Sequence, residues 1–171
     1  MSITVVPYDP AWPARFERER ALLEAVLAPW LDGGLHHIGS TSVAGLAAKP
    51  VVDMMAGVRE LDQARAATTV LEQYGYVLTP HRPDVAHHFD KRDGDVTTHG
   101  LHLTEPGSAL WRERLAFRDA LRRDETLARE YEALKLTLAE QDNAGLVEYT
   151  AGKRAFVARV LEAAGIELRR V

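Results

Sequence analysis

The run Val51-Val-Asp-Met-Met-Ala-Gly-Val58 restricts this chain more than any other segment. An apolar run of this length, bounded by polar residues, reads as a strand buried in a sheet. Alternation along a strand puts Asp53 on the same face as Val51 and Met55. A carboxylate there is costly unless it is ion-paired, hydrogen-bonded or metal-bound. Two readings follow. Asp53 forms a structural ion pair with Lys49, or it is a metal ligand beside a phosphate site.

The rest of the chain supplies partners for that strand. Residues 3–6 read as a strand. Asp9-Pro10 reads as an N-cap followed by proline at the first helical position. Trp12, Phe16, Leu23, Leu27 and Trp30 recur at helical spacing, which predicts a helix to about Leu31 and a packing role for the aromatics. Asp32-Gly33-Gly34 is read as its stop. Residues 35–38 read as a short strand, and 39–48 as a long polar turn. A helix over 61–74, closed by Gly75, leads to a strand over 76–79. Asp93-Gly94, between VAHHFDKR and DVTTHGLHL, is a strong hairpin cue. With the turn placed there, His88 faces His99 and His102 lies on the other face.

After Pro106-Gly107 the pattern turns helical. Ser108 caps a helix bearing Trp111, Leu115, Arg118 and Leu121. Asp124 caps another bearing Leu127, Tyr131, Leu134 and Leu138. Asn143-Ala-Gly145 breaks the chain before a last helix with Tyr149, Lys153, Phe156 and Val160. The expectation is an α/β (α+β) protein, one domain over 1–171. A mixed sheet with flanking helices occupies 1–104, and a C-terminal three-helix unit occupies 105–171.

Several function classes drop out. With no cysteine, a disulfide framework, a thiolate metal site and a cysteine nucleophile are excluded. The net charge of −4, with both signs mixed along the chain, lacks the basic clustering of a nucleic-acid surface. No apolar stretch approaches the roughly 18 residues of a membrane span. The first residues lack the basic and apolar segments of a signal peptide, so a cytoplasmic location is expected. Oligomeric state is not written in the sequence, and a homodimer is one state it admits.

The turn Gly39-Ser40-Thr41-Ser42 follows a strand and offers backbone N–H groups and hydroxyls, which suit phosphate oxygens. His87, His88, His99 and His102 are candidates for proton transfer or for a transition metal. Lys153 stands on an otherwise apolar helical row. It either snorkels to solvent or points into a cleft, and Arg118 and Lys135 pose the same question.

These motifs together resemble the GrpB family, which is similar to the DNA-polymerase-β type of nucleotidyltransferase. The resemblance rests on Tyr8-Asp9-Pro10-Ala-Trp12-Pro13 with Phe16, His37-Ile-Gly39-Ser40-Thr41, Gly45-Leu46-Ala-Ala-Lys49-Pro50 and Asp53. It continues through His102, Leu115-Ala-Phe117-Arg118-Asp119, Tyr131 with Lys135, and Tyr149 with Lys153. It implies a nucleotidyltransferase-like fold that moves an NMP from an NTP to a small-molecule acceptor, with Mg²⁺ held by Asp53. It also implies that Asp53 and His102 are catalytic. The triphosphate would lie along Gly39, Ser40, Thr41, Ser42, Lys49, Arg118, Lys135, Tyr149 and Lys153. One departure is plain. The wider superfamily places a second carboxylate two residues after the first, where this chain has Met55. That leaves two alternatives in play: a catalytically silent nucleotide-binding or adaptor module, and a transition-metal enzyme using the hairpin histidines.

Overall fold

The computed structural model describes residues 4–80, 83–140 and 146–167. Five strands, β1 (Leu31–Ile38), β2 (Val52–Val58), β3 (Tyr76–Thr79), β4 (His87–Asp93) and β5 (Val96–Thr104), form one sheet. Their order is β1–β2–β5–β4–β3. The β2–β5 pair is parallel and every other pair is antiparallel, so the sheet is mixed, as expected. The apolar run of β2 lies between two neighbours and is buried, apart from a half-buried Asp53.

Helix α1 (Trp12–Val26) covers one face of the sheet. Trp12, Phe16 and Leu23 pack there against Val52, Met54, Ala56, Phe89, Leu101 and Leu103. The opposite face carries Asp53 and Met55. Beside it stand α4 (Ala109–Arg123) and α5 (Glu125–Glu140), whose N-termini are held by Ser108 and Asp124, as the sequence implies. Trp111 of α4 meets His36 of β1 edge to face, with ring centroids 4.8 Å apart. A second, smaller core joins Leu121, Ala128, Tyr131 and Phe156 to Val43 and Leu46 of the long turn. Among the described residues, no helix is long and apolar enough to cross a membrane.

The elements depart from expectation in several places. Helix α1 begins at Trp12 rather than Pro10, because Asp9 spends its carboxylate on Ala11 N–H at 2.8 Å and forms a turn ahead of the helix. The helix ends at Val26, and residues 27–30 form a turn closed by Trp30 N–H to Leu27 C=O. Asp32-Gly33-Gly34 is therefore no helix stop. It is an irregularity within β1, where pairing jumps from Leu31↔Val58 to Leu35↔Ala56 and both glycines take positive φ.

The 61–74 helix is broken. It splits into α2 (Leu61–Ala64), a 3₁₀ turn (Arg65–Ala67) and α3 (Thr68–Glu72). The second part starts on the β-branched residues Thr68, Thr69 and Val70, which lose side-chain freedom in a helix. The last helix is likewise two, α6 (Leu146–Gly152) and α7 (Arg154–Ala163), parted at Lys153. Of the first predicted strand, Val6 makes an isolated bridge to Ala48. Ile3 and the predicted break at Asn143-Ala-Gly145 lie outside the described residues.

The hairpin register matters most for function. Its turn is Gly94-Asp95, closed by Asp93↔Val96, with Gly94 at φ 56°. Pairing then jumps from Arg92↔Thr97 to Lys91↔His99, leaving Thr98 as a bulge. The Thr98 hydroxyl donates to Lys91 C=O at 3.1 Å and fixes that bulge. These two effects slide the strands, so His88 stands opposite His102 rather than His99.

Candidate functional site

Residues paired across strands share a face of the sheet. Asp53 is thus flanked by Ile38 and Gly100, and Met55 by His36 and His102. Gly100 pairs in turn with Asp90, and His102 with His88. The Asp53 carboxylate fills the room that two glycines leave. A Cβ on Gly100 would sit 2.7 Å from Oδ1, and one on Gly39 would sit 2.8 Å from Oδ2. Gly39 also has φ 69°, a conformation that side chains disfavour.

Burial holds the Asp53 carboxyl above the usual carboxylate range, against the pull of Arg114, His88, Lys49 and Lys153. Lys153 is lowered to about 8, first by desolvation and then by repulsion from Arg114 and Lys49, with Asp53 opposing. Its ammonium lies over the Tyr149 ring, 4.2 Å from the centroid. Burial pushes the Tyr149 phenol up to about 12. Tyr131 is also raised by burial, and it shares a side-chain hydrogen bond with Ser40. One carboxylate therefore answers to three cations, Lys49, Arg114 and Lys153. Arg114 gave no signal in the sequence, where it reads as one more arginine on an amphipathic helix.

The other predicted binders build the frame rather than face the cleft. Lys135 is enclosed, with 1% of its surface exposed, and its Nζ donates to Ala47 C=O. Glu132, one turn earlier on α5, accepts from Ala47 N–H at 2.7 Å. Together they clamp the N–H and C=O of one residue, two places before Lys49. Arg118 is spent on Asp119 at 2.7 Å and on His37 C=O at 3.2 Å. The Ser42 hydroxyl donates to Gly39 C=O at 2.6 Å. The Thr41 hydroxyl donates to Val51 C=O at 3.2 Å. These bonds tie the side chains of Thr41, Ser42, Arg118 and Lys135 into the frame of the turn. Of the turn's hydroxyls, Ser40 is the one not spent inside the turn.

His37 is locked by the same network. Because Thr41 gives its only proton to Val51, its oxygen accepts from His37 Nε2–H at 2.9 Å. The ring stacks on Phe16, with centroids 4.8 Å apart. Burial, then Arg122 and Arg118, lowers its pKa to about 4. The unfolded chain takes up this proton near pH 6.5, but the folded protein does so only near pH 4. Stability from His37 is complete above 6.5 and is lost as pH falls toward 4, by up to about 3 kcal/mol. Urea unfolding at pH 7 and pH 4 should show a smaller acid loss in His37→Gln than in the wild type. Equal losses would refute this.

A polar chain crosses the sheet beside Asp53. Thr79 donates to Asp90 Oδ2 at 3.3 Å, and His88 Nε2 meets Asp90 Oδ1 at 3.2 Å. His88 Nδ1 and His102 Nδ1 lie 3.3 Å apart. An ionised carboxylate only accepts, so His88 Nε2 carries hydrogen. In the neutral ring, His88 Nδ1 then accepts from His102 Nδ1–H. That assignment leaves the proton-accepting lone pair of His102 on Nε2. Asp90 and the pairing of His88 with His102 were not foreseen, because the bulge at Thr98 that aligns them leaves no clear sequence mark. The other two hairpin histidines are structural. His87 donates to Leu61 C=O at 2.7 Å, and His99 lies on the α1 face, bonded to Thr98 at 2.9 Å.

Mg²⁺ demands hard oxygen ligands in near-octahedral geometry. The residue two places after Asp53 is Met55, fully buried, whose thioether does not suit that ion. Among the described residues, no group of three or more His, Cys, Asp or Glu is placed to hold a metal ion. Three cations act on the lone carboxylate. These residues do not fit a protein-held Mg²⁺, nor a transition-metal site on the hairpin.

A family model described as "GrpB protein" matches residues 2–163. A UPF0157 protein of Deinococcus radiodurans is 41% identical, the match covering 91% of this chain and 79% of that protein. UPF0157 protein YqkA of Bacillus subtilis is 30% identical over 91% of this chain, which spans only 45% of that relative's length. Among solved structures, the conserved protein GrpB from Enterococcus faecalis superposes with a TM-score of 0.85. It is 30% identical, with 94% of this chain and 96% of that one covered.

Proposed function

The chain belongs to the GrpB family, and from that premise we propose that it binds a nucleoside triphosphate and transfers its NMP to a small-molecule acceptor. One observation carries the proposal. Lys49, Arg114 and Lys153 all act electrostatically on Asp53, whose buried carboxyl stands against Gly39 at the start of the Gly39-Ser40 turn, leaving a surplus of positive charge around it. Such a surplus is complementary to a polyphosphate, which accepts charge-assisted hydrogen bonds from several donors at once.

In the proposed reaction the acceptor oxygen attacks the α-phosphorus. The bond from that phosphorus to the bridging oxygen breaks, and pyrophosphate leaves. The acceptor's proton passes to His102 Nε2, in keeping with the tautomer set by Asp90 and His88. The three cations neutralise charge as it develops on the leaving group. Asp53 holds those cations in register.

Met55 favours a second reading, a module that binds nucleotide without turning it over. Calorimetry with ATP and the other NTPs, followed by a pyrophosphate-release assay with candidate hydroxyl acceptors, separates the two. The transfer reading expects binding and pyrophosphate release that is lost in His102→Ala. Binding without release under any acceptor leaves the silent module. No binding of any NTP defeats both.

A further inference from the structure

The inference drawn here rests on the nucleotide reading and concerns how the charge of the ligand is balanced. We infer that the Asp53 recess takes the polyphosphate without a divalent metal, with Lys49, Arg114 and Lys153 as the counter-charge.

Three observations lead there. First, oxygen donors are scarce. Asp53 is the only carboxylate on its face of β2, and Asp90, on the same face of the sheet beyond Gly100, is engaged by His88 and Thr79. Second, the two oxygens of Asp53 are each pressed against a glycine, Oδ1 toward Gly100 and Oδ2 toward Gly39. That packing leaves a hexahydrated or partly hydrated Mg²⁺ little room to approach. Third, an added divalent cation would meet three like charges already acting on that carboxylate.

The cations themselves are held for the task. Lys49 lies two residues after Ala47, whose N–H and C=O are held by Glu132 and Lys135, and Ala48 is bridged to Val6. Lys153 stands at the break between α6 and α7, over the Tyr149 ring. Arg114 is exposed on α4, close enough to act on Asp53, and carries a planar fork suited to two phosphate oxygens. Asp53, on this view, offsets part of their mutual repulsion rather than ligating an ion.

The consequence is a binding reaction with unusual sensitivity to its partners. Calorimetry on the full chain, with inorganic tripolyphosphate and with ATP, is run once in EDTA and once with excess Mg²⁺. Binding in EDTA should be as tight as with Mg²⁺ or tighter, because Mg²⁺ on the triphosphate competes with the protein's cations. Lys153→Met should weaken tripolyphosphate binding at least about tenfold, the loss of one charge-assisted contact. Asp53→Asn, which removes a negative charge, should keep the affinity or raise it several-fold. Binding that requires Mg²⁺, or that disappears in a folded Asp53→Asn, overturns the inference and leaves the nucleotide reading intact. Absence of binding in both buffers overturns both. The wild-type comparison of EDTA against Mg²⁺ decides the matter even if a variant fails to fold.

Discussion

Gly57→Ala is expected to lower stability by about 3 kcal/mol or more, and the melting temperature by roughly 10 °C. Gly57 lies on the Asp53 face of β2, where the irregular segment of β1 folds across it. A Cβ there would stand 1.9 Å from Asp32 C=O oxygen and 3.0 Å from Pro106 Cγ. Neither neighbour can yield cheaply. The β1 segment is tied on both sides, by Leu31↔Val58 and Leu35↔Ala56 pairing and by Arg59 N–H to Trp30 C=O. The Arg59 guanidinium adds bonds to Leu31 and Pro29 carbonyls. Gly34→Ala is the comparison. Its Cβ would meet nothing within 4 Å, yet φ is 77°, so only the left-handed backbone strain of about 1–2 kcal/mol applies. Thermal unfolding by circular dichroism measures both. A Gly57→Ala loss no larger than that of Gly34→Ala would mean that the β1 irregularity does not lie across β2 as described.

The same segment shows where sequence reading runs out. Two glycines after a helical pattern signal positive φ, and positive φ is what Gly33 and Gly34 adopt. Whether such residues end a helix or kink a strand depends on what pairs with them. The pairs that bracket them, Leu31↔Val58 and Leu35↔Ala56, reach more than twenty residues along the chain. The hairpin fails for a related reason. Asp93-Gly94 marks the turn to within one residue, but the Thr98 bulge is stabilised by a hydroxyl bond to Lys91 that no local pattern announces. Asp53 was legible because a charge in an apolar run is improbable without a purpose. His102, bracketed by leucines, was legible too, chiefly through family resemblance. Arg114, Gly100 and Asp90 were not, since each is ordinary in its own element and gains meaning only from strand register or helix placement.

Lys135 and Lys153 illustrate the difference between two lysines that look alike in sequence. Both follow a tyrosine by four residues in the sequence, and both sit near that ring, at 4.9 Å and 4.2 Å. Lys153 acts on Asp53. Lys135 instead points into the turn and is closed off by it. The neighbours of each side chain settle this, and helical periodicity is blind to them.

Lys135→Met is expected to change the pH dependence of stability more than any other single substitution at a buried lysine here. Desolvation, with Lys153 adding repulsion and Glu132 opposing, lowers the Lys135 pKa from 10.5 to about 7 in the folded protein. Below pH 7 the ammonium is charged in both states and its burial is fully penalised. Between 7 and 10.5 the unfolded chain holds a proton that the folded protein does not, so stability rises with pH. From pH 7 to pH 9 this contributes about 2 kcal/mol to the wild type. Methionine fills similar volume and cannot titrate. Its loss of the bond to Ala47 C=O costs about 1 kcal/mol at every pH, which offsets the curve without tilting it. Because a neutral amine still donates, the clamp on Ala47 survives in the wild type as the charge is lost, and the rise is not cancelled by unfolding of the turn. Urea denaturation of both proteins at pH 7, 8 and 9 should therefore show the wild type gaining on the variant by about 2 kcal/mol across that range. Parallel curves would show that Lys135 titrates as an exposed lysine does, and that its enclosure by the turn is wrong.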